Sequence, residues 1–474
     1  MALIALILVA AAAVWWAAYA RRGPLWVGAA AFIALGYMLG PPLWSPNVGT
    51  VPLTIDRLLL VGLAAAVAWH WRQRRLNWRA MTGFDWLLIV ALGYFTIRCA
   101  LTPAPPPDGS AVKPWWRLVV AFWIPAAIYL TARAAPPTER SWRAAMWIFA
   151  ALGGYLAFTA FAEVGAQWWA VFPRYIGDPT LGTHFGRARG PALNSASLGI
   201  YLTTCFWAAW LLWPRLARPG QLAVAGLLVL IAGGVYFTYT RSTWIGLAAS
   251  LAAIPLFQLP RPWRIALVFA GVVVGAAAVV TLGDRVTNLG RKDTDGSAEH
   301  SVYQRASLAI VSMRMWSDAP ILGCGFGRFY DLKQPYLADR GQQIELESLR
   351  QLDHHNTLLS VLVETGIVGL AAFLALLMGW TRAAWRLARD ARREPWQRAQ
   401  GLFSLATIIT YLSSALFHDL TLSATEHWPL FFAAGITVGL IADRRALVAA
   451  RDSVRSSISY LPRSHGEHGE FARS

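Results

Sequence analysis

The chain has 474 residues, with 42 Lys and Arg against 25 Asp and Glu and a formal net charge of +17. Charged residues are 14% of it and apolar residues 56%, where soluble domains carry about 25% charged residues. With a mean hydropathy of +0.44 over this length, a soluble enzyme and a disordered chain are both excluded, and a polytopic membrane protein is indicated.

A bilayer core of about 30 Å takes roughly 20 apolar residues in a helix, and about thirteen runs of that order stand in the sequence. They start near Ala2, Leu25, Ile55, Phe84, Trp115, Trp142, Pro191, Gln221, Thr243, Arg264, Asn356, Gly401 and Trp428. The predicted fold is all-α: a polytopic transmembrane helical bundle of about 12–13 spans with a large helical periplasmic loop. Met1 to Ala20 ends in Ala18-Tyr19-Ala20, similar to a signal-peptidase site, but it has no basic start and is followed by Arg21 and Arg22. A retained helix is expected there, because cleavage would strand the arginine pair outside.

The clusters Arg21/Arg22, Arg72/Arg74/Arg75/Arg79, Arg133/Arg140/Arg143, Arg215/Arg218, Arg261/Arg264, Arg382 to Arg398, and Arg444/Arg445 occupy every second gap. Those gaps are expected in the cytoplasm, which puts the N-terminus in the periplasm and the C-terminus in the cytoplasm. The same pattern argues against nucleic acid as a partner. The only lysines are Lys113, Lys292 and Lys333, and Cys99, Cys205 and Cys324 have no metal-ligand spacing.

The expected division is residues 1–163 as N-terminal membrane helices and 164–190 as a first long periplasmic segment, with central membrane helices over 191–282. A large periplasmic loop over 283–355, C-terminal membrane helices over 356–442 and a disordered cytoplasmic tail over 443–474 complete it. Gln221 to Phe257 reads as two short spans broken at Tyr239-Thr240-Arg241-Ser242, since one helix would be too long and would bury Arg241. Within the large loop, Leu308, Val311 and Met315 have helical spacing, so Val302 to Asp318 is a predicted helix.

Positive residues are rare outside, so outer arginines have another cause. Leaving aside Arg57, Arg98 and Arg117 at helix ends, the outer set includes Arg187, Arg189, Arg241 and Arg305, in apolar or Gly-rich contexts. Guanidinium stays charged in a low dielectric and binds phosphate oxygens bidentately, so a cluster of these would hold a pyrophosphate or another polyanion. The duller readings are snorkelling for Arg187 and Arg189, an ion pair with Glu163 or Glu426 for Arg241, and a solvated helix face for Arg305.

In DHHNTLLSVLVETGIVGLAAFL, Asp353 to Leu374, the residues His354, His355 and Asn356 stand at the outer mouth of a span. Imidazole there can take a proton from a hydroxyl near neutral pH, or can merely cap the helix. Metal binding is disfavoured by the adjacent spacing of the pair. Glu364 lies deeper in the same span and is expected inside the bundle as partner to a buried arginine, with the following glycines allowing close packing. The many tryptophans read as interface anchors.

These motifs, in this order, make the chain similar to the O-antigen ligase and O-antigen polymerase superfamily of bacterial inner-membrane proteins. The resemblance rests on GRARGPALNSASLGIYL, YTRSTWIGLAAS, SVYQRASLAIVSMRMWSDAPILGCGFGRF and HHNTLLSVLVETGIVGLAAFL, over residues of roughly 180 to 380. It implies a metal-independent, cofactor-free glycosyltransferase. Such an enzyme takes a glycan from an undecaprenyl-pyrophosphate carrier on the periplasmic face and attaches it to a glycan or lipid acceptor. The family's pyrophosphate-binding arginines map onto Arg187 or Arg189, Arg241 and Arg305, and its essential histidine onto His355, with His354 the other candidate; Asn356 and Glu364 support the site.

Ligases and polymerases share the motifs. Pyrophosphate is already a good leaving group, so the chemistry needs charge stabilisation and a base and no covalent nucleophile, and direct displacement would invert the anomeric carbon. The competing readings are a permease for an anionic solute and a binding protein for a lipid-linked substrate without chemistry. Transport predicts ionisable groups near the midplane, whereas the charges here gather at the outer ends.

Overall fold

Where a run of apolar residues meets a side-chain oxygen that can accept the first free N–H groups, a helix can start, and Pro or Gly closes many of the runs. The computed structural model describes residues 23–48, 51–77, 81–104, 113–256, 262, 265–266, 298–337, 346–423 and 425–459. Its helices are α1 (Leu25–Met38), α2 (Ile55–Arg72), α3 (Gly83–Leu101), α4 (Pro114–Ala134), α5 (Glu139–Val164) and α6 (Ser195–Leu212). After these come α7 (Arg218–Phe237), α8 (Arg241–Leu256), α9 (Ala298–Asp318), α10 (Thr357–Arg389), α11 (Pro395–Ala415) and α12 (Trp428–Ser459). Apart from short turns of helix and a two-residue hairpin, Asn47–Val48 with Val51–Pro52, the described chain has no other regular element.

The protein is thus a polytopic helical bundle. Among the described residues six helical stretches are long and apolar enough to cross a membrane: α3, α4, α5, α6 with its terminal turn to Arg215, α7 and α10. Leu25–Met38 and Trp428–Asp443 are apolar and shorter. The runs expected near Ala2 and Arg264 fall largely or wholly outside the described residues. α12 continues to Ser459, so helix extends past Asp443, where the polar tail was expected to begin.

Buried polar side chains tie α11 to α5 and α12. Gln400 takes a hydrogen bond from Trp142 Nε1 at 2.8 Å, and its amide nitrogen donates to the Ala433 carbonyl at 3.1 Å; Ser404 and Thr437 are 2.7 Å apart. These groups are buried and paired, as a low-dielectric interior demands. α6 is buried along almost its whole length, packed by α5, α7, α8 and α11. Pro125 in α4 has no N–H for the Ala121 carbonyl one turn back. That carbonyl instead accepts from His427 Nδ1, whose Nε2 takes the Tyr411 hydroxyl proton at 2.9 Å, and the helix widens to a π turn over Val119–Trp123.

The break between α7 and α8 falls at residues 238–240, with Tyr239 at φ 46°. Contacts join the Arg-bearing ends of α2, α4, α6 and α10: the Asn77 N–H donates to the Ala134 carbonyl, the Asn77 amide reaches Asp443, Arg393 feels the Asp443 charge, and Arg215 lies 3.7 Å from Glu139 at the start of α5. There Arg133 is locked on Asp85, whose other oxygen caps α3 through Thr82. The opposite end carries the start of α6, the α7–α8 turn, α9, the start of α10 and the α11–α12 loop.

Candidate functional site

Asn356 opens α10: its side-chain oxygen accepts the Leu359 N–H at 3.0 Å, and its Nδ2 donates to the Leu416 carbonyl at 2.9 Å. Next to it, the Thr357 hydroxyl donates to the His418 carbonyl at 2.8 Å and accepts the Leu420 N–H at 2.9 Å. The histidine corner is therefore stitched to the α11–α12 loop residue by residue.

The two histidines part company here. His354 is 4% exposed and stacks on Phe329 with ring centroids 3.5 Å apart, packed into the loop core. Burial, with Arg117, Lys333 and His355 nearby, holds its pKa well below the usual imidazole range. His355 is only partly buried, and its Nδ1 lies 3.0 Å from the Asp353 carbonyl. A carbonyl can only accept, so Nδ1 carries a proton, and in the neutral ring Nε2 then presents a lone pair.

The arginines also divide. Arg189 is 1% exposed, and its guanidinium donates to the carbonyls of Ile176, Leu181 and Asp178 while lying over the Phe185 ring. Its backbone N–H and that of Gly190 go to the Glu163 carboxylate, at 3.1 and 2.9 Å. Arg189 is thus engaged in folding the 165–194 segment. Arg187 is partly buried and reaches the Tyr239 carbonyl at 3.5 Å, beside the turn from which Arg241 starts α8. Arg305, from α9, lies with its guanidinium 5.9 Å from the Phe417 ring centroid.

The sequence reading did not single out His418, which follows Phe417, the ring that Arg305 approaches, and precedes Asp419. Burial first, then the charges of Arg305, His184, His355 and Arg187, push its pKa down to about 3. Through Asp419 the same loop reaches an ion-pair cluster. Arg117, 5% exposed, binds both Glu364 oxygens through one nitrogen, at 2.7 and 2.9 Å. It also reaches Asp419 at 3.1 Å and Ser360 at 2.8 Å, and it donates to Thr421. Glu364 has the buried arginine partner expected of it, and the Gly327 N–H adds a further bond at 3.0 Å. Among the described residues no group of three or more His, Cys, Asp or Glu is arranged to hold a metal ion.

The signals for the missed residues were weak. Arg117 reads as one more helix-end arginine, and FHDL is a short loop between two spans. His184, three residues before Arg187, stands next to a motif already noted.

Fold and site together define a polytopic helical membrane protein with a cationic, histidine-bearing site at one end of the bundle. Residues 225–374 match the O-antigen ligase family, which supports the O-antigen ligase superfamily for the chain and, coarsely, ligase- or polymerase-like function in a bacterial membrane. The matched segment holds Arg241, Arg305, His354, His355, Asn356 and Glu364, and leaves Arg187, Arg189 and His418 outside it. No curated protein matches the chain.

Proposed function

We propose that the protein is a glycosyltransferase that moves a glycan from undecaprenyl pyrophosphate to an acceptor hydroxyl on the periplasmic face of a bacterial inner membrane. The observation that carries this reading is the orientation of His355, whose Nδ1 faces a carbonyl, so that its neutral ring has Nε2 left as a base. The periplasmic placement is supported by the Arg clusters at the far end of the bundle.

On this reading the acceptor hydroxyl gives its proton to His355 Nε2 as its oxygen attacks the anomeric carbon. The bond from that carbon to the diphosphate oxygen breaks, and the diphosphate leaves with the electron pair. Arg187, Arg241 and Arg305 receive the growing charge through fixed donors, which is worth most where water is scarce. Guanidinium groups supply what a Lewis acid would, so the enzyme is metal-independent, and one displacement inverts the anomeric configuration. Glu364 and Asn356 act indirectly, Glu364 through Arg117 and Asn356 by holding the histidine corner to the α11–α12 loop.

The test is reconstitution. Purified full-length protein, an undecaprenyl-pyrophosphate-linked glycan and candidate acceptors (a lipid A core, a second lipid-linked glycan, a protein) should give transferred glycan and released carrier. Donor left unconsumed with every acceptor would overturn the reading, and a retained anomeric configuration would overturn the single displacement.

A further inference from the structure

The transfer chemistry above makes no use of Lys333, one of three lysines in a chain with 42 Lys and Arg. Lys333 closes the helical turn Phe329–Leu332, and that turn is laced to the residues just before His355. The Tyr330 hydroxyl donates to Gln351 Oε1 at 2.8 Å, Lys333 Nζ donates to the Leu352 carbonyl, and the Phe329 ring stacks on His354 with centroids 3.5 Å apart. His355 follows directly, its Nδ1 donating to the Asp353 carbonyl at 3.0 Å.

Lys333 is 0% exposed. Its Nζ lies 4.3 Å from the centroid of the Tyr330 ring and 5.6 Å from that of Phe329, within reach of both rings. Burial pulls its pKa down to about 8 against the opposing pull of Asp353 and Asp331, which leaves the side chain charged at neutral pH. An apolar side chain of similar length would fill this space at lower cost, so packing alone does not account for a cation here. The ammonium is a compact donor that sits between two rings and a carbonyl, where a guanidinium would bring a wider, planar head.

We infer that Lys333 is a positioning residue for His355: by anchoring the Leu352 carbonyl it fixes the Asp353 carbonyl one residue on, and with it the direction in which His355 Nε2 faces the acceptor hydroxyl. The inference rests on the reading of His355 as the base in the preceding subsection. Fully buried, Lys333 meets neither donor nor acceptor and acts through the backbone of residues 352–353. A reacting group displaced by about 1 Å loses on the order of 10²-fold in rate, so a modest shift of this turn is enough to matter.

The experiment is steady-state kinetics of the full-length protein in detergent, with an undecaprenyl-pyrophosphate-linked glycan as the varied substrate. Wild type, Lys333→Met, His355→Ala and the double variant are compared. Lys333→Met should lower kcat by about 10- to 100-fold while the KM for the donor stays within about threefold. In the His355→Ala background the same substitution should cost nothing further, because the group it positions is gone. A merely structural role would lower turnover alike in both backgrounds. Unchanged kcat, or equal losses in the two backgrounds, would overturn the inference and leave His355 as the base. If Lys333→Met fails to fold, Lys333→Arg takes its place, since its larger head must move the Leu352 carbonyl. A fall in kcat confined to the background that retains His355 then supports the inference, and an unchanged kcat overturns it. Full turnover by His355→Ala, or no transfer by wild type with any acceptor, would overturn the base reading and the inference together.

Discussion

Arg117 and Arg187 lie at the same end of the bundle and serve opposite ends. Around Arg117 every donor has a partner inside the protein: two carboxylates, a serine and a threonine, all buried. Arg187 instead reaches a backbone carbonyl, that of Tyr239 at 3.5 Å, and Arg305 lies 5.9 Å from the centroid of the Phe417 ring. Removing one member of a closed ion-pair network leaves an uncompensated buried charge, so such a network fixes shape. On the proposed function Arg187 and Arg305 are kept for a ligand, which is how a site would differ from a scaffold. Arg189 sharpens the contrast: two positions from Arg187, it spends its guanidinium on three carbonyls of its own segment.

The comparison can be broken by substitution, beginning with the largest effect. His355→Ala should lower transfer by about 10²- to 10⁴-fold while lipid-linked donor still binds; turnover unchanged in a donor-consumption assay would remove His355 as the base. Glu364→Ala should cost up to about 3–5 kcal/mol of stability by taking one of the two carboxylates from the buried Arg117, read as a fall in thermal midpoint; an unchanged midpoint would remove Glu364 from the scaffold. Arg305→Lys keeps the charge and loses the fork, so a loss on the order of 10- to 100-fold in transfer is expected with little change in midpoint.

The smallest effect concerns pH. Burial pushes the Glu426 carboxyl up to about 8 from the ordinary 4.5. The folded chain then holds a proton that the unfolded chain releases, so this contribution to stability is complete below about pH 4.5 and is lost as pH rises toward about 8. The wild-type midpoint should fall across that window more steeply than that of Glu426→Gln. Parallel curves would clear Glu426 of the effect.

Much of this was legible in the sequence, and for identifiable reasons. Helices follow from hydropathy and length, and the break before Arg241 followed from the cost of burying it. The buried face of α9 was readable from Leu308, Val311 and Met315, each buried in the structure. Glu364 was legible as an acid in need of an arginine, but which arginine was not, because Arg117 lies 247 residues away. His354 and His355 are equivalent as letters, and only the stack on Phe329 separates them. Arg117 was not legible as the centre of a network because its partners, Ser360, Glu364, Asp419 and Thr421, lie more than 240 residues away.

The glycine that breaks α10 at its tenth residue shows what the large loop is for. Gly366, at φ 69°, interrupts the helix, and a Cβ there would sit 2.1 Å from the Ile321 carbonyl oxygen. The gap is filled by chain from the loop: Cys324 and Gly325 donate to the carbonyls of Val363 and Glu364 at 2.8 and 3.1 Å, and Ile367 donates to the Pro320 carbonyl at 2.9 Å. The 320–325 stretch is therefore a splint set into a fractured rod. Excising the loop would bare peptide groups in the middle of the bundle, so loop and rod must assemble together.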